Sequence, residues 1–78
     1  MHIVIAKVDE VLYDGEAYSM TVPGSEGEMT VLSEHMPLVT TLKKGVITVR
    51  SEDGASAGEF PIGGGVLEVR RDGTTVIL

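Results

Sequence analysis

The chain contains no cysteine and no tryptophan among its 78 residues, and only two tyrosines and one phenylalanine. Without cysteine it can form neither a disulfide nor a thiolate metal site, and it has no thiol nucleophile. The core must be packed from valine, isoleucine, leucine and methionine, and this β-branched bias favours strands. Its length predicts one domain with a small core, because a chain of this size buries about 60% of the surface that its unfolded state exposes.

Positive charge is also scarce: six Lys and Arg stand against twelve Asp and Glu, which gives a net charge of −6. Nucleic acid is bound through clusters of basic side chains, and the only adjacent basic pairs are residues 43–44 and 70–71. We therefore expect no nucleic-acid partner. The sequence has no apolar run of about 20 residues and no basic region before its short apolar start, so it predicts neither membrane insertion nor a signal peptide.

Short β-branched segments separated by turn signals fill the chain, and we interpret residues 2–8, 28–33 and 38–42 as strands. No segment of ten or more residues has helical periodicity. Asp-Gly dipeptides predict hairpin turns, because glycine accepts the positive φ that such turns need; they stand at 14–15, 53–54 and 72–73. The pattern predicts an all-β sandwich or barrel of about eight to ten short strands.

Alternation of buried and exposed positions predicts the register of each hairpin. The 53–54 turn sets Ile47 opposite Phe60 and Val49 opposite Gly58, whereas the 72–73 turn sets Leu67 opposite Leu78 and Val69 opposite Val76. The 14–15 turn sets Leu12 opposite Ala17 and is followed by a strand predicted to bury Tyr18, Met20 and Val22.

Residues 23–38 differ from the rest of the chain, since they hold two of the three prolines, three glutamates and one of the two histidines. We interpret this stretch as too irregular for a plain hairpin and too apolar at its end for a solvated loop. Met29, Val31, Met36 and Leu38 supply adaptable apolar side chains. The stretch is therefore predicted to contact a partner, while the rest of the chain is a β scaffold.

Residues that could carry chemistry are isolated from the groups that such chemistry needs. In an extended strand Glu26 and Glu28 would project to one side about 6–7 Å apart, near the spacing of a glycosidase pair, but no aromatic residues stand beside them to line a sugar cleft. His2 and His35 have no second ligand at metal-binding spacing. The glycines at 63–65 lack the Lys-Ser/Thr of a phosphate loop. We predict no catalytic, cofactor-binding or metal site.

A set of short segments occurs in one order along almost the whole chain. They are Leu-Tyr-Asp-Gly-Glu (12–16), Gly-Ser-Glu-Gly-Glu (24–28), Val-Leu (31–32), His35, Pro-Leu (37–38), Leu-Lys (42–43), Gly45, Gly-Gly-Val-Leu-Glu-Val (64–69) and Thr-Val-Ile-Leu (75–78). Taken together they resemble the N-terminal β-sandwich domain of the epsilon subunit of F-type rotary ATP synthases. The sequence departs from the family pattern at Thr30, at Ser33-Glu34 and at Lys44, where Gly, Pro-Gly and Pro are usual.

The resemblance implies a flattened β-sandwich of mainly antiparallel strands over residues 1–78. It implies a non-catalytic rotor subunit of the central stalk, which links the gamma subunit to the polar loops of the c-ring and supports coupling of proton flow to ATP synthesis. No cofactor is expected, and the location implied is peripheral, on the cytoplasmic face of a bacterial inner membrane or on a plastid thylakoid. The two-helix C-terminal domain of most family members is absent from these residues, so neither helical inhibition nor nucleotide binding is predicted.

The family pattern also assigns contacts residue by residue. Positions expected to contact the c-ring are Ser25, Glu26 and Glu28. Positions expected to contact gamma are Lys7, His35, Met36, Leu38 and Thr40. The alternative interpretation is a stand-alone β-sandwich binding module, for which exposed aromatic side chains on one sheet would be needed.

Overall fold

A computed structural model describes residues 1–33 and 36–78. Within these ranges the chain forms nine strands and no helix, which confirms the predicted all-β class. The strands are β1 (His2–Lys7), β2 (Glu10–Glu16), β3 (Ser19–Gly24), β4 (Gly27–Leu32), β5 (Leu38–Leu42), β6 (Gly45–Arg50), β7 (Ser56–Ile62), β8 (Gly65–Arg70) and β9 (Gly73–Ile77). A helix able to span a membrane is not found in the described part of the chain.

The strands follow the order β2-β1-β9-β8-β5-β3-β6-β7, and β4 pairs with β3. Neighbouring strands are antiparallel except β1 and β9, which are parallel. The ladder between β5 and β3 consists of a single residue pair, Gly24 with Leu42. The sheet therefore divides into a five-stranded half (β2-β1-β9-β8-β5) and a four-stranded half (β4-β3-β6-β7), and the chain crosses between them four times, at β2–β3, β4–β5, β5–β6 and β7–β8.

The core lies between the two halves and is built from residues that alternate along the strands, as period-two burial requires. Its buried members are Ile3, Ile5, Met20, Val22, Val31, Leu42, Ile47, Val49, Ile62, Leu67, Val69 and Val76. At one margin Tyr13 of β2 meets Phe60 of β7 edge to face, with ring centroids 6.0 Å apart and planes at 73°. This contact joins the two outermost strands of the sheet order, because β2 and β7 are its first and last members.

The hairpin around residues 53–54 has the predicted register, with Ile47 opposite Phe60 and Val49 opposite Gly58. The hairpin around residues 72–73 is shifted by two residues, so that Val69 lies opposite Thr74 instead of Val76. A shift of two keeps every side chain on its predicted face. The shift arises because β9 also pairs with β1, and that parallel register sets Val76 beside Ile5.

The hairpin predicted at residues 14–15 does not form. Asp14 and Gly15 instead lie inside β2, where they pair with Val4 and Ile3 of β1. The turn falls earlier, at residues 8–9, and β2 therefore pairs with β1 along the whole length of β1. Met20 and Val22 are buried as predicted. The prediction that Tyr18 is buried is wrong, since 55% of its surface is exposed in the connection between β2 and β3.

Candidate docking surfaces

Residues 23–32 belong to a regular β-hairpin, so the prediction that this part is too irregular for one is wrong. β3 and β4 pair from Ser19 with Leu32 down to Gly24 with Gly27, and the two residues between these glycines form the tip. A Cβ on Gly24 would lie 2.7 Å from the Gly27 carbonyl oxygen. Gly27 itself has φ of +136°, which L side chains rarely adopt. The two glycines therefore permit the narrow tip.

The tip is attached to β5 by hydrogen bonds of both backbone and side chain. The Ser25 N–H donates to the Thr41 carbonyl oxygen over 3.0 Å, and the Lys43 N–H donates to the Pro23 carbonyl oxygen over 2.9 Å. The Ser25 and Thr41 hydroxyls lie 2.9 Å apart and share a hydrogen bond. Ser25, one of the predicted ring-contact residues, thus makes an internal contact. Its neighbour Glu26 is the acidic side chain at the end of the tip.

Glu26 and Glu28 are exposed, and neither carboxylate makes a hydrogen bond or ion pair with another described residue. Glu26 lies in the turn, whereas Glu28 lies on β4 opposite Pro23, so the two do not stand in one extended strand. Two open clefts of about 350 and 240 Å³ lie at the other end of the sandwich, and Met1 and Ser33 line both. The carboxylates are therefore placed for surface contact and lie outside these concave sites.

The residues predicted to contact gamma are not gathered in one place. Leu38 and Thr40 lie on β5 on the face that carries buried Leu42, and both are half-buried. Met36 is exposed ahead of β5, whereas Lys7 is exposed at the end of β1. His35 lies outside the described residues.

Strand register shows where Lys7 stands relative to the hairpin tip. Thr41, next to the tip, pairs with Val66, which in turn pairs with Ile77. Ile77 pairs with Ala6, the neighbour of Lys7. Lys7 is thus at the same end of the sandwich as the tip, three strands from β5, and Met36 is at the opposite end of β5.

The same register reveals a surface that sequence reasoning missed. Val66, Ile77, Ala6 and Val11 lie side by side across β8, β9, β1 and β2 on the outer face of the five-stranded half. We call these four residues the apolar row. Val66, Ile77 and Val11 are 41%, 51% and 60% exposed. A sequence signal was available, since apolar residues at outward positions alternate with buried Leu67 and Val76, but strand order was needed to make them neighbours.

His2 is a candidate metal ligand by residue type, but the structure gives it other partners. Its Nε2 lies 2.7 Å from the Asp14 Oδ1 and its Nδ1 lies 3.2 Å from the Glu16 Oε2. The other carboxylate oxygen of Glu16 lies 3.5 Å from the N-terminal ammonium group of Met1. Both ring nitrogens of His2 therefore face carboxylates. No group of three His, Asp or Glu side chains suited to a metal ion occurs in residues 1–33 and 36–78.

Comparison with known proteins relates this fold to one family. The family model described as "ATP synthase, Delta/Epsilon chain, beta-sandwich domain" matches residues 1–78. The chain belongs to this family. The resemblance to the N-terminal domain of the epsilon subunit is thereby confirmed.

Individual members of the delta/epsilon family show the extent of the likeness. The chain is 39% identical over 77 residues to ATP synthase epsilon chain 2 of Burkholderia orbicola (strain AU 1054), covering 99% of this chain and 51% of that relative. It is 36% identical over 77 residues to the ATP synthase epsilon chain of Caulobacter vibrioides (strain ATCC 19089 / CIP 103742 / CB 15), covering 99% of this chain and 87% of that one. The chain thus spans about half the length of the first relative and most of the second.

A solved structure has the same fold. It is a chain of the cryo-EM structure of the Euglena gracilis mitochondrial ATP synthase, OSCP/F1/c-ring in rotational state 1. The two chains superpose with a TM-score of 0.86 at 27% sequence identity, over 96% of this chain and 48% of that one. The fold of that solved chain therefore matches nearly all of the present chain.

Proposed function

We propose that the chain is a non-catalytic rotor subunit of the central stalk of a proton-translocating ATP synthase. In this role it links the gamma subunit to the c-ring and supports the coupling of proton flow to ATP synthesis. The family match across residues 1–78 is the observation that carries the proposal. A similar solved chain belongs to an ATP synthase structure that includes the c-ring, which supports the same role.

The geometry of the hairpin tip supports contact with the polar loops of the ring. Glu26 and Glu28 are exposed acidic side chains without partners among the described residues. Such groups can pair with basic or hydroxyl side chains of a partner and fix the orientation of the two surfaces. The Ser25 hydroxyl connects the tip to β5 through its hydrogen bond with Thr41.

The gamma-facing surface is proposed to include Lys7, Met36, Leu38, Thr40 and the apolar row. Exposed apolar side chains that adjoin one another are typical of protein interaction surfaces. The row extends from β8, the strand beside Thr41, across to β2 at the end that carries Lys7. Met36 and Leu38 extend the proposed surface along β5 toward its opposite end. The subunit would then be peripheral, on the cytoplasmic face of a bacterial inner membrane.

The test is retention of gamma and of the c-ring by the tagged full-length chain. We expect the wild-type chain to recover both, because its two surfaces are intact. Glu26→Lys with Glu28→Lys should reduce recovery of the c-ring and leave recovery of gamma unchanged. Glu59→Lys is the matched control, since Glu59 is an exposed glutamate on β7 away from the tip. Recovery of neither partner by the wild-type chain would overturn the proposal.

One observation favours the alternative of a stand-alone binding module. Tyr18 is exposed and lines the cleft of about 350 Å³ together with Ser51 and Glu52. Carbohydrate modules stack sugars on exposed aromatic rings of this kind. Binding of the full-length chain to a glycan array, with loss of the signal in Tyr18→Ala, would support the module. An array without a signal would remove it.

A further inference from the structure

We propose that Ser25 and Thr41 are a positioning pair that holds the β3–β4 tip at a fixed angle to β5. This inference rests on the proposed function, in which the tip contacts the c-ring, and it assigns a different role to Ser25. The Ser25 hydroxyl positions the tip through an internal hydrogen bond, and Glu26 is the side chain that contacts the ring.

The first support is the way in which the two halves of the sheet are joined. Gly24 and Leu42 form the only residue pair of the ladder between β3 and β5. Hydrogen bonds on either side of this pair run from the Ser25 N–H to Thr41 and from the Lys43 N–H to Pro23. We call this pair and its two flanking hydrogen bonds the corner. The angle between the tip and the five-stranded half depends on the corner, because the neighbouring β3–β6 ladder ends at Thr21 and does not reach the tip.

The second support is the close packing of the corner backbone, next to which the side chains of Ser25 and Thr41 are exposed. A Cβ on Gly45 would lie 2.8 Å from the Cβ of Pro23, and one on Gly24 would lie 2.7 Å from the Gly27 carbonyl oxygen. The backbone is thus closely packed at these two glycines. Ser25 and Thr41 are exposed, and their 2.9 Å hydroxyl contact is a further link between the tip and β5.

The consequence concerns the transmission of force. A tip that rotates freely about one residue pair would take up part of the displacement of the ring loops before the sandwich moved. The hydroxyl contact adds a side-chain link to the backbone hydrogen bonds of the corner and stiffens it. The pair therefore acts through Glu26 and makes no contact with the ring itself.

The chain offers a sharp set of variants for the test. Thr41→Val removes the hydroxyl and keeps the β-branched shape, whereas Thr41→Ser keeps the hydroxyl. Thr30→Val is the matched control, because Thr30 makes a similar exposed hydroxyl contact with Thr21, at 3.2 Å, within the β3–β4 hairpin. The absence of native cysteine allows a nitroxide spin label to be attached to Glu26→Cys in the full-length protein.

We expect Thr41→Val to increase the mobile fraction of the nitroxide at position 26 between about two- and tenfold, as loss of one hydrogen bond allows. Thr41→Ser and Thr30→Val should leave the fraction unchanged. In the assembled enzyme, Thr41→Val should lower ATP-driven proton pumping per ATP hydrolysed at unchanged subunit occupancy, and Thr41→Ser should restore it.

Equal label mobility in Thr41→Val and Thr41→Ser would overturn the positioning role. Increased mobility with unchanged pumping would overturn its importance for coupling. A wild-type chain that fails to enter the enzyme would contradict the proposed function instead, and the label measurement would still decide whether the pair holds the tip.

Discussion

At the scale of single residues, glycines set the closest contacts of the tip. Gly24 has no room for a side chain, because a Cβ would approach the Gly27 carbonyl oxygen to 2.7 Å and the Met29 sulfur to 3.2 Å. Gly63, by contrast, has open space around the position of a Cβ. Residues of one type therefore have opposite tolerance to substitution at the two sites.

We expect Gly24→Ala to lower the free energy of unfolding by about 1–3 kcal/mol, the usual cost of overpacking a closely packed site. Gly63→Ala should be neutral or should raise stability by up to about 1 kcal/mol, because it restricts the unfolded chain. Urea denaturation of both variants checks this. Equal changes in the two would contradict the packing explanation.

Asp53 provides a residue-scale prediction about pH. The Ser51 hydroxyl and then the Ala55 N–H donate hydrogen bonds to its carboxylate and hold the pKa of Asp53 below its ordinary value. A lowered folded-state pKa contributes stability that is present above the pKa of the unfolded chain and is lost as the pH falls through the folded value. The β6–β7 turn should therefore loosen only in acid, below the ordinary range of an aspartate.

The measurement is an NMR titration of the Asp53 carboxyl carbon. We expect Ser51→Ala to raise the pKa of Asp53, because it removes the larger of the two hydrogen-bond contributions. Ser56→Ala is a suitable control, since Ser56 makes no hydrogen bond to this carboxylate. An Asp53 titration that is the same in Ser51→Ala and the wild-type chain would show that the hydroxyl is not the cause.

At the scale of strands, the outermost members of the sheet order are held together by one aromatic contact. Tyr13 and Phe60 meet edge to face, and the Tyr13 hydroxyl also donates to the Glu16 carbonyl oxygen over 3.0 Å. We expect a double-mutant cycle of Tyr13→Leu and Phe60→Leu to give a coupling of about 0.5–1.5 kcal/mol. The measurement is the free energy of unfolding of the four proteins.

Tyr13→Phe is the control for this cycle, because it keeps the ring and removes only the hydroxyl. A second cycle takes the Tyr13→Phe protein as its starting point and compares phenylalanine with leucine at position 13. The coupling to Phe60→Leu should persist in this second cycle. Its disappearance there would assign the coupling to the hydroxyl instead of the ring contact.

The strands also show which parts of the fold could be predicted from sequence. The β6–β7 register was predicted correctly because a local turn and an alternating pattern determine it together. The turn at 14–15 was wrong because Asp14 and Gly15 pair with β1 inside the local β1–β2 hairpin. The β8–β9 register was wrong by two residues because β9 also pairs with β1. Pairing with a strand about 70 residues away leaves no trace in the local pattern.

The candidate docking surfaces also contain features that the sequence predicts and features that only the strand order reveals. The exposed acidic tip at Glu26 and Glu28 could be recognised from a family motif and its charges. The contact of Ser25 with Thr41 could not, since it joins residues from separate strands. The apolar row likewise depends on the order of four strands, and its members are scattered along the chain.

At the scale of the whole molecule, the last described strand is central. β9 lies between β1 and β8 and contributes Thr74 and Val76 to the interior. We expect deletion of residues 73–78 to abolish cooperative unfolding, because β1 and β8 each lose one of their two neighbouring strands and the interior loses Thr74 and Val76. Circular dichroism with urea denaturation checks this.

Ile77→Thr is the control for the deletion, since it keeps β9 and changes only an exposed side chain of the apolar row. It should retain cooperative unfolding with a change within about 0.5 kcal/mol, as is usual for surface substitutions. A cooperative transition in the shortened chain would contradict the central role of β9.

The parallel pairing of β1 with β9 also dictates the order of events while the protein is being made. β1 is the first of the nine described strands to be synthesised, and it can acquire its second neighbour only after residues 74–77 have been made. The β3–β4 and β6–β7 hairpins can close earlier, because short loops cost little entropy to close. Until then β1 and β8 keep an unpaired edge, a state prone to misassociation. The five-stranded half therefore cannot be completed before β9 is available to pair with both of them.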